Sequence, residues 1–264
     1  MKAGNWMGRH RSLARAFWIG ALLLCWELSV KLLHISPLLF PPIEEVLRVM
    51  GESFLRGDLF YQTFFSLGVI LWGLLIGVVL AFLLALLSVR SQVMESLTDA
   101  LTAIAHPLPG IAILPLIIMW FGTGTGAIVA IIVHSALWPV LLNLTAGFRP
   151  VPKIYLDVGR NLSLRPLAVT WEIRVRASFS YLLSGLKIGW ARAWRALISA
   201  EMVFGAIGSK GGLGWYIFKQ RTFMNTSGLF AGIILVIAIG MAVEELVFNR
   251  LERCTIRKWG MSAQ

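Results

Sequence analysis

Uncharged apolar runs alternate with short polar islands along this chain, and the runs are of bilayer length. Residues 64–87 carry no charge, and a helix of that length, rising about 1.5 Å per residue, crosses a hydrocarbon core of about 30 Å with some tilt. Residues 100–148 contain no Asp, Glu, Lys or Arg, enough for two spans around the glycine-rich hairpin Gly122-Thr-Gly-Thr-Gly126. The pattern predicts six membrane helices: 16–33, 64–87, 101–121, 127–146, 181–203 and 226–247. Pro37, Pro41 and Pro42 end the first, and 43–55 reads as a short amphipathic helix of slightly negative charge. Residues 88–99 read as a polar connection. Pro107, Pro109 and Pro115 must break or kink the third span, which a membrane tolerates only where protein or water satisfies the freed carbonyls. A break beside a pathway makes His106, Pro107 and Pro115 candidates for lining it; a packing kink is the other reading. Lone histidines such as His106 and His134 read as packing groups rather than a proton relay.

One polar island stands apart. Residues 147–180 hold Lys or Arg at 149, 153, 160, 165, 174 and 176 against only Asp157 and Glu172. Such an island sits in water, and its basic excess places it in the cytoplasm. It reads as two short helices, 154–162 and 167–176, joined by a Ser-Leu-Arg-Pro turn with Pro166 at a helix start. A cytoplasmic elbow on a membrane protein is an offer to a soluble partner.

Composition agrees. The chain has 264 residues, of which 58% are hydrophobic and 14% charged, against about 25% charged in soluble domains; mean hydropathy is +0.78. The net charge of +11 gathers at the N-terminus, the 147–180 island and the C-terminal tail, which suits cytoplasmic flanks of membrane helices and argues against nucleic-acid binding. Lys2, Arg9, Arg11 and Arg15 before an apolar run imitate a secretory signal, but no small-residue cleavage site follows, so a retained first span is expected. Cys25 and Cys254 fall on different sides of that topology and are not expected to pair.

Charges inside spans carry the remaining chemistry. Glu27 and Lys31 are spaced i,i+4 in the favourable order and are placed to pair, although Lys31 can also snorkel to the interface. Lys187, Arg192, Arg195 and Glu201 fall within the fifth span. Lys187 is expected to snorkel. Arg192 and Arg195, i,i+3, share a face and suit a cavity that passes an anion, since guanidinium presents a fork to carboxylate or sulfonate. Ion pairs with Glu201, Glu27 or Glu244 are the alternative. The turn Gly-Ser-Lys-Gly-Gly-Leu-Gly at 208–214 lacks the Lys-Ser/Thr of a phosphate-binding loop, and no strand precedes it. No catalytic set or metal-ligand spacing stands out, so the chain is expected to be no enzyme and to bind no cofactor.

The island resembles the cytoplasmic "EAA" loop of bacterial ABC importer permeases: Glu-Ala-Ala, three residues, Gly, nine residues, Ile, one residue, Leu-Pro. Laid without gaps, Asp157 takes the Glu, Val158-Gly159 the alanines, Ser163 the Gly, Ile173 the Ile and Val175-Arg176 the Leu-Pro. The stretches His106-Pro107…Ile113-Leu114-Pro115-Leu116…Trp120-Phe121-Gly122 and Ala200-Glu201-Met202…Gly211-Gly212-Leu213-Gly214-Trp215 resemble the sulfonate/taurine/nitrate-type branch. The resemblance implies an all-α integral membrane protein of the type I ABC importer permease fold, with about six transmembrane helices and EAA-type coupling helices. It divides the chain into an N-terminal tail, first span and periplasmic helix (1–63), a permease core (64–255) and a cytoplasmic tail (256–264). It implies ATPase coupling through Asp157, Gly159, Arg160, Ser163, Ile173 and Val175, and a pathway near His106, Pro107, Pro115, Arg192, Arg195 and Glu201. Implied partners are a dimer of ABC ATPases carrying ATP and Mg, a second permease copy, a periplasmic substrate-binding protein and the bacterial inner-membrane bilayer, with both termini cytoplasmic. The competing reading is a gradient-driven secondary transporter using Arg192, Arg195 and Glu201.

Overall fold

The computed structural model describes residues 11–149, 151, 153–205 and 211–258. The expectations for Lys2 and Arg9, for Gly208–Lys210 of the glycine-rich turn, and for 259–264 of the tail lie outside them. The described residues are helical, with no strand, and divide into two units: residues up to 60 with 216–235, and residues 61–215 with the remainder.

In the first unit, helix α1 (Arg11–Leu32) is followed by the amphipathic α2 (Ile43–Arg56). Pro42, at the N-cap of α2, has no side chain able to cap it. Glu27 supplies the missing acceptor: its carboxylate takes the Ile43 N–H at 3.1 Å and pairs with Lys31 Nζ at 2.8 Å. Trp26 donates to the Pro41 carbonyl at 3.0 Å and stacks on Phe40 at a centroid distance of 4.9 Å. Tyr216 donates to Ser53 at 3.1 Å, tying residues after 215 to α2.

Among the described residues there follow α3 (Leu59–Arg90), α4 (Gln92–Ala105), α5 (Leu114–Phe121), α6 (Thr125–Phe148), α7 (Lys153–Asn161), α8 (Pro166–Val169, continued as a π-helix over Thr170–Val175) and α9 (Phe179–Phe204). Beyond them lie α10 (Leu213–Thr222) and α11 (Thr226–Ala242), which π-type turns extend toward Arg257. α6 and α9 form the spine of the second unit. Gly185 and Gly189 let α9 approach the backbone of α6 at Val140 and Ala136, where a methyl group would lie 3.2–3.4 Å from main-chain atoms. On α3, Gly77 likewise approaches the backbone of Val133, and Gly73 makes room for the Ile132 side chain. Ala81, Ala85, Leu137, Val140, Leu141, Leu144 and Phe148 then close a buried core. Close approach through small residues is the packing available where lipid offers helices no hydrophobic drive to associate.

Three expectations change. The connection at 88–99 is mostly helix, because α4 starts at Gln92 and only Ser91, with φ −142°, interrupts it. Its charges belong to a polar helix face: Glu95 and Asp99 bind Arg149, at 3.0 and 2.8 Å. The third span is not one helix but α4 and a Gly110–Phe121 segment bent by 91°. The break falls at His106–Pro109, where Pro107 and Pro109 donate nothing; Pro115, by contrast, sits in the first turn of α5, where proline is well tolerated. Finally, the stretch between the expected spans 181–203 and 226–247 contains a helix, α10. Among the described residues four helices, over 13–32, 59–90, 125–148 and 226–256, are long and apolar enough to cross a membrane, with the bent pair as a fifth if it counts as one span. α9 is long enough, about 39 Å, but carries four charges.

Candidate functional site

Three features of the second unit bear on function. The first is the elbow. α7 ends in a Schellman turn: the Leu164 N–H reaches back to the Gly159 carbonyl at 3.1 Å, and Ser163 adopts a left-handed φ of 55°. That position normally holds glycine, and it is where the EAA pattern has its Gly. Gly159 is buried against α8, and a methyl group there would lie 2.6 Å from Ile173 Cδ1 and 3.3 Å from Val169 Cγ2. Trp171 stacks on Phe82 of α3 at 5.3 Å, and Val175 packs on the core around Leu144. The elbow's return is pinned by Ser178, whose hydroxyl donates to the Gly147 carbonyl at 2.6 Å. Asp157, Ile154, Tyr155 and Val158 remain exposed on α7; the side chain of Arg160 lies outside the described residues. Ser163→Gly is expected to raise the elbow's local stability by about 1 kcal/mol, by removing the left-handed penalty on a residue with a Cβ. Slower amide exchange at Leu162–Leu164 is the check.

The second feature is a cavity of about 360 Å³ at the break between α4 and α5. His106, Pro107, Arg192 and Arg195 line it together, with Ser135, Trp138 and Ser199. Pro115 does not reach it. Arg192 donates to the His106 carbonyl at 3.1 Å and lies against the His106 ring. Arg195 uses Nε on the Ala191 carbonyl at 3.0 Å. Among the described residues neither arginine pairs with a carboxylate: Glu244 is taken by Lys187 at 3.0 Å, an ion pair where snorkelling was expected. Trp138 donates to His134 Nδ1 at 3.1 Å, which leaves the ring proton on Nε2, facing the Leu108 carbonyl at 3.4 Å. Ser135 and Trp138 gave no signal in the sequence. Ser199 was missed as well, although its place four residues after Arg195 on the same helical face is a signal that finds it.

The third feature is Glu201, 1% exposed and apart from the arginines. Its carboxylate accepts the Ser66 hydroxyl at 2.7 Å and the Gly214 N–H at 2.8 Å, while Ser66 accepts the Leu213 N–H at 2.9 Å. Together they cap α10, whose first N–H groups otherwise lack partners. Gly212 and Gly214 leave the room: a side chain at either would collide with the Glu201 side chain. The Glu-Met…Gly-Gly-Leu-Gly spacing is thus a folding contact.

Comparison with known proteins agrees with this architecture. The family model for the binding-protein-dependent transport system inner membrane component matches residues 73–254. The taurine transport system permease protein TauC of Escherichia coli (strain K12) is 28% identical over 240 residues, covering 89% of this chain and 86% of that protein. The putative aliphatic sulfonates transport permease protein SsuC of Bacillus subtilis (strain 168) is 27% identical over 248 residues, covering 92% and 88%. The nitrate import permease protein NrtB of Leptolyngbya laminosa is 26% identical over 243 residues, covering 90% and 86%. With the matched region running from α3 through the elbow to the end of the helical chain, this protein is a multi-pass membrane permease and belongs to the family of binding-protein-dependent transport system inner membrane components.

Proposed function

We propose that this chain is the transmembrane permease subunit of an ATP-driven ABC importer for a small organic anion of the sulfonate, taurine or nitrate kind. Two such subunits pair around a central pathway, a periplasmic binding protein delivers the substrate, and a cytoplasmic ATPase dimer binding ATP and Mg supplies the energy. Six spans with both termini in the cytoplasm of a bacterial cell put the 154–176 elbow on the ATPase side, and α9 counts as a span because Arg192 and Arg195 face an aqueous cavity rather than lipid.

The observation that carries the reading is the elbow itself: two short helices, locked to each other at Gly159–Ile173 and to the core at Trp171 and Val175, with an exposed outer face. A lever of that rigidity passes an ATPase movement to the helices instead of absorbing it. Closure of the ATPase dimer draws two elbows together and turns the cavity from one side of the membrane to the other, a two-state change biased by nucleotide. Asp157 and Arg160 are the proposed polar anchors on the ATPase, Gly159, Ser163, Ile173 and Val175 the residues that shape the lever. His106, Pro107, Arg192 and Arg195 line the path, with Pro115 starting the helix beyond the break and Glu201 bracing its outer end.

Asp157→Lys reverses a charge on an exposed helix face and leaves the core untouched. The expected result is at least a tenfold loss of ATPase co-purified with the permease, with the permease itself still monodisperse. Assembly and ATP-driven uptake at the unmutated level would remove Asp157 from the contact.

A further inference from the structure

The cavity at the α4–α5 break combines cationic, hydroxyl and apolar groups. Arg192 and Arg195 line it together with Ser135 and Ser199. Arg192 is held in place by the His106 carbonyl. Arg195 commits only Nε, so among the described residues its two terminal amino groups bond to nothing and present an open fork. No described carboxylate lines the cavity, and two fixed positive charges therefore act on whatever enters.

The rest of the lining joins the His106 and His134 rings to an apolar wall. Leu108, Ile111 and the flanking prolines contribute hydrocarbon, and Trp138, its N–H already given to His134, offers only its ring. Size discriminates further. At about 360 Å³ the cavity holds roughly ten water volumes of about 30 Å³ each, whereas an inorganic oxyanion of four or five atoms fills one or two. An anion with an apolar body fills the space and dries the apolar wall.

We propose that this cavity is a substrate-binding station within the permease, and that its ligand is an organic sulfonate or carboxylate with an apolar body rather than an inorganic oxyanion. The inference rests on the permease reading above and narrows it. The same two arginines border a second cavity of about 350 Å³ that contains the Lys187–Glu244 pair. That second cavity offers no hydroxyl, whereas Ser135 and Ser199 stand with the arginines in the first, so the ligand dwells in the first.

Equilibrium binding of radiolabelled benzenesulfonate to the full chain in nanodiscs, without ATPase or binding protein, tests this. Binding is expected to saturate. Arg195→Gln weakens it at least tenfold, and Arg195→Lys recovers part of the loss. Trp138→Ala weakens benzenesulfonate several-fold but leaves competition by methanesulfonate unchanged. Nitrate competes at least tenfold less well than methanesulfonate. Nitrate competing equally would overturn the organic assignment; no saturable binding, or full binding by Arg195→Gln, would overturn the station. Arg195 is exposed, so its variants leave α9 packing intact, and Trp138→Ala gives an independent second reading. ATP-driven uptake, measured separately in the same preparation with its partners, distinguishes the two failures: uptake that persists without a station sinks only this inference.

Discussion

Glu201→Ala is expected to be the most damaging single truncation in the second unit. It strips the acceptor from the Ser66 hydroxyl and the Gly214 N–H, both in a site where water does not replace it. Two orphaned buried donors cost about 3 kcal/mol together, which corresponds to a fall of roughly 10 °C in the thermal midpoint of the detergent-purified protein. Glu201→Gln keeps an acceptor for Gly214 and a polar contact for Ser66, and is expected to stay within a few degrees of the parent and to transport normally. Midpoints unchanged in the alanine variant would contradict the capping role. A stable glutamine variant that had lost uptake would assign Glu201 to coupling and favour the gradient-driven reading.

The second large effect is expected at Gly159→Val. A branched side chain there meets Ile173 and Val169 at distances no packed carbon accepts without movement, so α7 and α8 must part. Because the elbow lies outside the α6–α9 spine, the variant is expected to fold and express. Its ATP-driven transport should drop at least tenfold. Ile173→Ala in the same chain makes room and should restore much of the activity, a coupling that two independent lesions would lack. Gly159→Val with full transport would mean the two elbow helices need not stay locked.

Much of this architecture was legible because membrane helices write themselves as uncharged runs. Residues 64–87 and 100–148 could be little else, and Pro107 and Pro109 marked the break to within a residue or two. The elbow was legible as a basic island, and the EAA spacing even located the residue, Ser163, that takes the left-handed turn. What charge patterns could not say was where helices begin in polar sequence. Glu95 and Asp99 looked like connection because their partner, Arg149, is fifty positions away. α10 was hidden behind glycines that serve Glu201 rather than a flexible turn. Arg192 and Arg195 were recognised as a shared face, but only three dimensions reveal that Lys187 claims Glu244 while Ser66 and Gly214 claim Glu201. Long-range partner choice has no period in the sequence to read.

The central claim is that this chain moves its substrate only when an ATPase drives the elbow. The direct measurement is uptake of a labelled organosulfonate into proteoliposomes holding the permease and its ATPase, with the binding protein outside. The account predicts uptake that requires both nucleotide hydrolysis and loaded binding protein and that collapses in Gly159→Val. Uptake that proceeds without nucleotide and follows an imposed ion gradient would contradict it.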